Sequence, residues 1–596
     1  MKKWMIGMVS VLTLAMAGCG NGGSKDQKTS DSGDTSSGPA VPIKEEINNE
    51  GNAINGGTLK VALVSDSPFQ GIFSLTYYQD ALDANLMSFS HESMFKLDNN
   101  NMISDKGSAK MDVDKDAKTA TVTLRDNLKW SDGQDVTADD VIFSQELIGN
   151  PDYSGTRYSS EFENVEGMKE YHEGKADHIS GIEKVDNKTV KFHLKNVEIG
   201  LKYGEGGIWS YLEPKHVLEK IPVKDIEASD ALRKNPVAYG PFRVTKVVNG
   251  ESVEYEANEY YYEGKPKIDK IQLTRVPSSN IVSALQNHQY DLVLGMPTSS
   301  YDTYKDIAGY QMATRSAQSY SYLGFKLGKW DAKQAKIVPD DKAKMADKSL
   351  RQAMGYAIDN DAIGTKFSHG LSWQATSLIH PLFGDLHDSS MKGYHYDPEK
   401  AKKLLADAGY KDTDNDGLVE KPDGSKLKIN MAAMSGGETA EPIAQYYLQA
   451  FKQIGLDVQL VDNRLQEFQN FYDRVQSDDE AIDIFVGGWG LGTNPWPGNL
   501  YGQNSWNYTR WTSDKNQELL AKMQDDKAYD DRAYQVEQYK EWQEYMMDEA
   551  PAIPLRYSEE VMPINNRVKH FNWSRDETTS TNWNEVELTA DNPVAK

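Results

Sequence analysis

The stretch Lys118–Ile148, KTATVTLRDNLKWSDGQDVTADDVIFSQELI, reads as strand, turn and helix. Ala120, Val122 and Leu124 alternate with threonines, the period-two pattern of a strand with one buried face. Ser131-Asp132-Gly133 makes the turn. Thr137 is placed as a helix N-cap, and Asp140 three residues on completes a capping-box-like pair. Val136 and Val141 are spaced to close a hydrophobic staple around that cap. Taken alone, the pattern describes an ordinary βα unit.

Comparable units lie on both sides of it. Leu59, Val61 and Leu63 alternate in GGTLKVAL (56–63), which predicts a strand followed by a loop from Val64 to Gln70. Leu427–Val461 is the clearest βαβ pattern. Leu427, Ile429 and Met431 alternate, Ile443, Tyr447, Ala450, Phe451 and Ile454 keep helical spacing, and Leu456, Val458 and Leu460 alternate again. Such a crossover implies parallel strands and a right-handed connection. Ligands of open α/β sheets sit beyond the carboxyl ends of the strands, which points to Met434–Gly437 and its Ser435 and Gly436. Asp397-Pro398 predicts a helix start, with Gly409 as its end. The fold class is therefore mixed α/β.

Composition sets outer bounds. The 596 residues can bury a large core in more than one domain. Ninety acidic against 65 basic residues leave a formal charge of −25, which argues against nucleic acid or anionic lipid as a partner of the body. Tyr260, Tyr261 and Tyr262 are accordingly expected to pack internally rather than to stack bases. Cys19 is the one cysteine, so no intrachain disulfide forms. After Met16 no apolar run approaches the roughly 20 residues of a membrane-spanning helix.

The N-terminus reads as an export signal. Lys2 and Lys3 precede an apolar run from Met5 to Met16, and Ala17-Gly18-Cys19 follows. Residues 1–18 form the signal peptide. Residues 19–55, rich in Gly, Ser, Asp, Lys and Asn, are expected to be a flexible tether.

Several phrases together carry a family resemblance: TVTLR..LKWSDGQDVTADDVIFS, GGTLKVAL, NPVAYGPFRV (235–244), NEYYYEGKPKIDKIQL (258–273), ALQNHQYDLVLG (284–295), SLRQAMGYAID (349–359) and APAIPLRYSEEVMPINNRVKHF (550–571). From about Gly56 to the C-terminal region the chain resembles family 5 solute-binding proteins. Within them it is similar to the peptide receptors of ABC importers, the oligopeptide-binding lipoproteins of Gram-positive bacteria of the lactococcal OppA type. The resemblance implies a two-lobed, periplasmic-binding-protein-like fold of the large peptide-binding class. Lobe one would comprise 56–95, an extra inserted subdomain 96–212, 213–322 and a return segment 556–596, and lobe two would span 323–555. It also implies that Cys19 is acylated and anchors the protein to the outer face of the cytoplasmic membrane of a Gram-positive bacterium. The family prefers Leu three residues before that Cys, where this chain has Met16.

The function implied is capture of oligopeptides between two lobes and delivery to the membrane permease subunits. A monomer is expected, with no cofactor, no nucleic acid, contact with the membrane only through the lipid, and no catalytic step. The alternative within the binding class is a specialised receptor for a pheromone peptide or another solute such as nickel. The histidines are scattered, which disfavours nickel. A secreted hydrolase would need hardware that the chain lacks: there is no GxSxG turn, and His91-Glu92 and His172-Glu173 lack the second His of a zinc helix.

The expected ligand strand lies in IDIFVGGWGLGTNPWP (482–497). A peptide can bind as an added strand through its backbone, and Gly487, Gly488, Gly490 and Gly492 would let that backbone approach. By resemblance, Trp489 walls the cleft while Gly490 and Leu491 pair with the peptide. The other reading of Trp489 is a core side chain beside glycine bends. Some relatives hold the peptide amino terminus with an acid after this Trp, but Gly490–Asn494 offers no carboxylate. Asp66 and Phe69, in the loop after the first strand, and Tyr158, in PDYSGTRYSS, are further candidates. Asp412, Asp414 and Asp416, with Gly417 and Asp423, match the spacing of a calcium loop. Two readings stand there, a structural calcium clip and an acidic surface turn.

Overall fold

Two long strands, Tyr310–Phe325 and Ala552–Asn565, pair antiparallel from Tyr310↔Asn565 to Gly324↔Ala552. They span 16 and 14 residues, more than twice the usual strand length of about 5–6. In this computed structural model, which describes residues 38–334, 336–574 and 583–596, every other strand of the main sheet lies to one side or the other of that pair. The register of the pair slips between Ser316 and Tyr320 and again between Ser321 and Tyr322. Each slip leaves residues unpaired, bends the strand and sharpens its twist. The bends divide the sheet into two halves.

In one half Leu292–Leu294, Thr58–Val64, Lys270–Val276, Ser252–Ala257 and Phe242–Val248 follow in that order. Thr58–Val64 runs parallel to both of its neighbours. Leu59, Val61 and Leu63 face one core, with Phe89 and Phe571, while Ala62 faces another, with Ile281 and Tyr304. In the other half Ile484–Gly490, Lys428–Ala433 and Asp457–Leu460 follow. Lys428–Ala433 and Asp457–Leu460 are parallel, joined by the helix Ala440–Gln453, as the βαβ pattern predicts. The helix buries Ala444, Tyr447, Ala450 and Phe451, at about 1.5–3 kcal/mol for each large apolar side chain.

The stretch Lys118–Ile148 belongs to a separate four-stranded sheet, in the order Ala109–Asp114, Thr119–Leu124, Thr189–His193, Ile182–Lys184. Ala120, Val122 and Leu124 are buried, and the helix begins at Ala138. The Thr137 backbone N–H donates to Asp140 Oδ2 at 2.8 Å, and Val136 and Val141 are both fully buried. The predicted cap and staple are thus in place. The helix Pro398–Asp407 likewise starts on an Asp397 carboxylate that accepts from Lys400 N at 2.8 Å, and Gly409 follows it with φ +91°.

The ordered body begins before residue 56, which corrects the expected extent of the tether. Glu46–Ile47 pairs with Phe571–Asn572, Ile47 is fully buried, and Ile54 N donates to Leu588 O at 2.8 Å. Val41, Ile47 and Ile54 pack against the body's cores, and Asn49 Nδ2 donates to Val568 O at 2.9 Å. Cys19 and the signal segment lie outside the described residues. The C-terminal segment is tied down by a buried pair: Arg567 meets Asp291 at 2.5 Å with neither side chain exposed, and a second guanidinium nitrogen donates to Thr58 O at 2.8 Å. Among the described residues no helix is long and apolar enough to cross a membrane.

Candidate ligand-binding site

The glycine-rich strand Ile484–Gly490 sits between two partners of unequal reach. Lys428–Ala433 pairs with it only from Met431↔Ile484 to Ala433↔Val486, whereas the crossing strand pairs with it as far as Ser319↔Gly490. Residues 487–490 therefore have a ladder partner on one side and an open edge on the other. The orientation of the backbone follows from the next residue. Leu491 N donates to Gln318 O at 2.9 Å, so Leu491 is turned toward the crossing strand. Antiparallel ladders alternate bonded and non-bonded pairs, so the N–H and C=O of Gly490 and Gly488 face the open edge. The Gly488 carbonyl is met there by Tyr472 Oη at 3.2 Å.

The glycines have different reasons to be glycine. A Cβ at Gly487 would sit 3.1 Å from the Tyr322 ring, so that position is set by core packing. A Cβ at Gly488 would meet only Tyr320 O, at 3.7 Å, and one at Gly490 would meet nothing within 4 Å. Nothing inside the protein requires the small residue at Gly490.

Trp489 is half-buried and stacked on both sides. Its ring lies 5.8 Å from Tyr322 at 7° and 5.1 Å from Tyr508 at 24°. The Tyr501 hydroxyl bonds Tyr320 Oη at 2.8 Å. Beside this stack a cavity of about 180 Å³ is lined by Gly490, Leu491, Gly492, Tyr320, Trp496 and Glu205.

Glu205 is the residue that reading the sequence missed. It comes from the part of the chain that carries the four-stranded sheet. A Cβ on Gly492 would stand 3.2 Å from its Oε1, and Asn494 hydrogen-bonds its carboxyl. Burial, and after it the nearby Glu161, push that carboxyl up to about 7. No local pattern announces Glu205; only the fold brings it to the glycine strand. The same junction is held by Thr493 Oγ1 donating to Tyr203 O at 2.9 Å, Arg532 Nη1 donating to Tyr203 Oη at 3.0 Å, and Lys115 pairing with Asp530 at 2.8 Å.

Of the other expected residues, Ser435 and Gly436 adjoin the Trp489 cluster through Met434, whereas Phe69 and Tyr158 pack in other clusters. Ser435 follows the end of Lys428–Ala433 and is fixed by Gln466, its N–H donating to the Gln466 carbonyl at 2.7 Å. Gly436 and Gly437 adopt φ of +138° and +68° in open space, and the adjoining Met434 packs in the cluster that holds Trp489 and Leu491. Phe69 is a core side chain, 2% exposed among Phe73, Leu86 and Tyr255, and this corrects its expected place in a cleft. Asp66 is engaged at the start of the helix Ser278–Gln286, where it accepts from Ser278 N at 2.9 Å; that backbone bond and the Ser278 hydroxyl hold its carboxyl below the usual range. Tyr158 stacks on His172 at 3.6 Å within the core of the four-stranded sheet, away from Trp489.

The aspartate loop does not fit calcium as it stands. Lys426 Nζ lies among its carboxylates, 2.5 Å from Asp414, 2.8 Å from Asp416 and 2.8 Å from Glu420. Asp412 accepts the backbone N–H groups of Asn415 and Gly417, and Asp423 turns to Ser425. The ammonium supplies the charge that the metal was expected to bring.

Residues 106–510 match the middle portion of the bacterial extracellular solute-binding proteins, family 5. The chain belongs to this family. Among curated proteins it is similar to the oligopeptide-binding protein OppA of Lactococcus lactis subsp. lactis, at 35% identity over 537 residues, 88% of each chain. It is also similar to the oligopeptide-binding protein AppA of Bacillus subtilis, at 27% identity over 458 residues, 76% of this chain and 78% of that one. Among solved structures, lactococcal OppA, complexed with an endogenous peptide in the closed conformation, superposes with a TM-score of 0.77 at 34% identity, covering 89% of this chain and all of that one. The family 5 fold is two-lobed. The crossing pair Tyr310–Phe325 and Ala552–Asn565 joins its halves here, and Gly488–Gly490 pair with Ser319–Ser321, within the stretch where its register slips.

Proposed function

We propose that this family 5 protein is an extracytoplasmic receptor that binds oligopeptides between its lobes and delivers them to the permease of an ABC importer. The observation that carries the reading is the open edge at Gly490, whose N–H and C=O face away from the ladder with free space around Cα. A peptide backbone taken up along that edge gains main-chain hydrogen bonds whatever its sequence. Trp489, Gly488 and Leu491 form the floor and side of the same groove, and Gly487 holds it against Tyr322. Ser435 and Gly436 border it from the neighbouring strand. Similarity to two proteins named for oligopeptide binding supports the same reading.

The binding cycle needs no covalent step and no cofactor. The lobes follow the boundaries given by the resemblance, with lobe two at 323–555 and the subdomain 96–212 inserted in lobe one, and they close as a hinge about the crossing strands. Acylation of Cys19 tethers a monomer to the outer face of the cytoplasmic membrane of a Gram-positive bacterium. Native mass spectrometry of the purified body tests the function. Peptide masses released on denaturation are the expected result. A single non-peptide mass, with no heat on titration of a mixed peptide library, would replace the peptide reading by another solute.

A further inference from the structure

A second and larger cavity, about 560 Å³, opens where Leu292–Leu294 ends while the crossing strand Ala552–Asn565 continues. Its wall mixes apolar side chains, Phe89, Met296, Trp573 and Trp583 among them, with Arg315, Glu559 and Glu560. Glu559 lies in that wall. It is 2% exposed, and among the described residues neither carboxylate oxygen has a hydrogen-bond partner, although its backbone N–H donates to Leu371 O at 2.8 Å. Burial pushes its carboxyl up to about 8.

The nearby charges do not serve it. Arg315 is already paired with Glu560 at 2.9 Å and lies 4.2 Å over the Trp573 ring. The Tyr301 hydroxyl is raised first by burial, with a smaller contribution from the Glu559 charge. A buried carboxyl without a partner is costly, and native proteins keep such groups where something external completes them. The cavity is of small-molecule size, and its aromatic walls suit a cation as well as an alkyl chain.

The crossing strands run from the candidate groove to this cavity. Tyr320 pairs with Trp489 on one side and with Tyr557 on the other, and Glu559 lies two residues, about 7 Å of extended chain, beyond Tyr557. We infer that this cavity receives a cationic group of the bound peptide, an alkylammonium or guanidinium, which pairs with Glu559 between the tryptophan walls. The inference rests on the peptide reading above and adds a preference to it.

Two parts of a peptide carry that chemistry, a basic side chain and the free amino terminus, and one experiment separates them. Peptides of one length, with lysine or norleucine at a single scanned position and with a free or acetylated amino terminus, are titrated by calorimetry into the full chain and into E559Q. The expected result is a preference of about tenfold or more for the cationic member of one pair, lost in E559Q. Lysine over norleucine identifies the side chain, and free over acetylated identifies the terminus. Equal binding within both pairs, or a preference that survives in E559Q, overturns the cation site while leaving the peptide receptor standing. Failure of every peptide to bind overturns the receptor reading and the cation site with it. Should E559Q not fold, the wild-type ratios alone decide, because a cavity that ignores charge gives ratios near one.

Discussion

Gly490→Pro is the sharpest perturbation of the groove, and Gly490→Ala is its control. Proline removes the N–H that faces the open edge and adds a ring on the side where a peptide would lie. Proline is tolerated on an edge whose N–H points away from the ladder, so the fold should survive. Alanine keeps the N–H, and its Cβ meets nothing within 4 Å. It should raise stability by up to about 0.5–1 kcal/mol by restricting the unfolded chain. In the complex, proline leaves a peptide carbonyl buried without a donor, at about 1–3 kcal/mol, which corresponds to roughly 5- to 150-fold in affinity. Calorimetric titration of one tightly bound peptide, with urea unfolding of each variant, measures both quantities. The expected outcome is that G490A binds like wild type and G490P loses affinity within that range while remaining folded. If G490P binds as tightly as wild type, the peptide does not use this edge. If alanine and proline lose affinity alike, the open space matters rather than the N–H, and strand addition at Gly490 is wrong.

Other variants test the surrounding structure. Trp489→Ala removes one ring from a three-ring stack and should cost about 2 kcal/mol, below the roughly 3–5 of a fully buried aromatic because Trp489 is half-buried. Peptide affinity should fall with it by about tenfold, and unchanged affinity would return Trp489 to a purely structural role. Arg567→Met leaves Asp291 buried and unpaired, so urea unfolding should show a loss of about 3–5 kcal/mol; a loss near zero would mean that water reaches the site. Glu559 makes a prediction about pH in the empty receptor. Its folded-state carboxyl titrates near 8 against an ordinary 4.5, so the folded state disfavours its ionisation. Stability should therefore fall as pH rises between those values, by up to about 1.4 kcal/mol per unit, and E559Q should be flatter and more stable at the upper end. Parallel urea midpoints for the two proteins across that window would contradict the burial argument.

Local pattern revealed the units and hid their assembly. The strand Thr119–Leu124, the cap at Thr137 and the crossover Lys428–Leu460 are decided by spacing within some thirty residues, and each stands where the pattern put it. Phe69 was misplaced because an aromatic in a loop carries no local sign of the cluster it joins. Nor does local pattern show the partner of Asp66, Ser278, which is far along the chain. Lys426 shows the same limit: the aspartate spacing is legible, but the ammonium that closes the loop comes from outside the pattern.

The groove itself divides along this line. Its glycines and Trp489 are visible as a phrase, yet the open edge at Gly490 exists only because Lys428–Ala433 stops short beside it. The carboxylate missing from Gly490–Asn494 is the strongest case. Some relatives are expected to place an acid in that segment; here Glu205 crosses from the other part of the fold to Gly492 and Asn494. An acid carried on the glycine strand is present whether the lobes are apart or together. The rise of the Glu205 carboxyl to about 7 comes first from burial and then from Glu161 on its own part of the chain, so only the burial contributed by the glycine strand would change if the two parts separated. Closure is then opposed by ionisation of Glu205 above its ordinary range, and a peptide that donates a hydrogen bond or positive charge to it removes that opposition. Glu205→Gln should make closure of the empty protein easier and less dependent on pH, which small-angle scattering with and without peptide can measure. An unchanged scattering profile for the empty variant from acid to neutral pH would show that Glu205 does not couple the lobes.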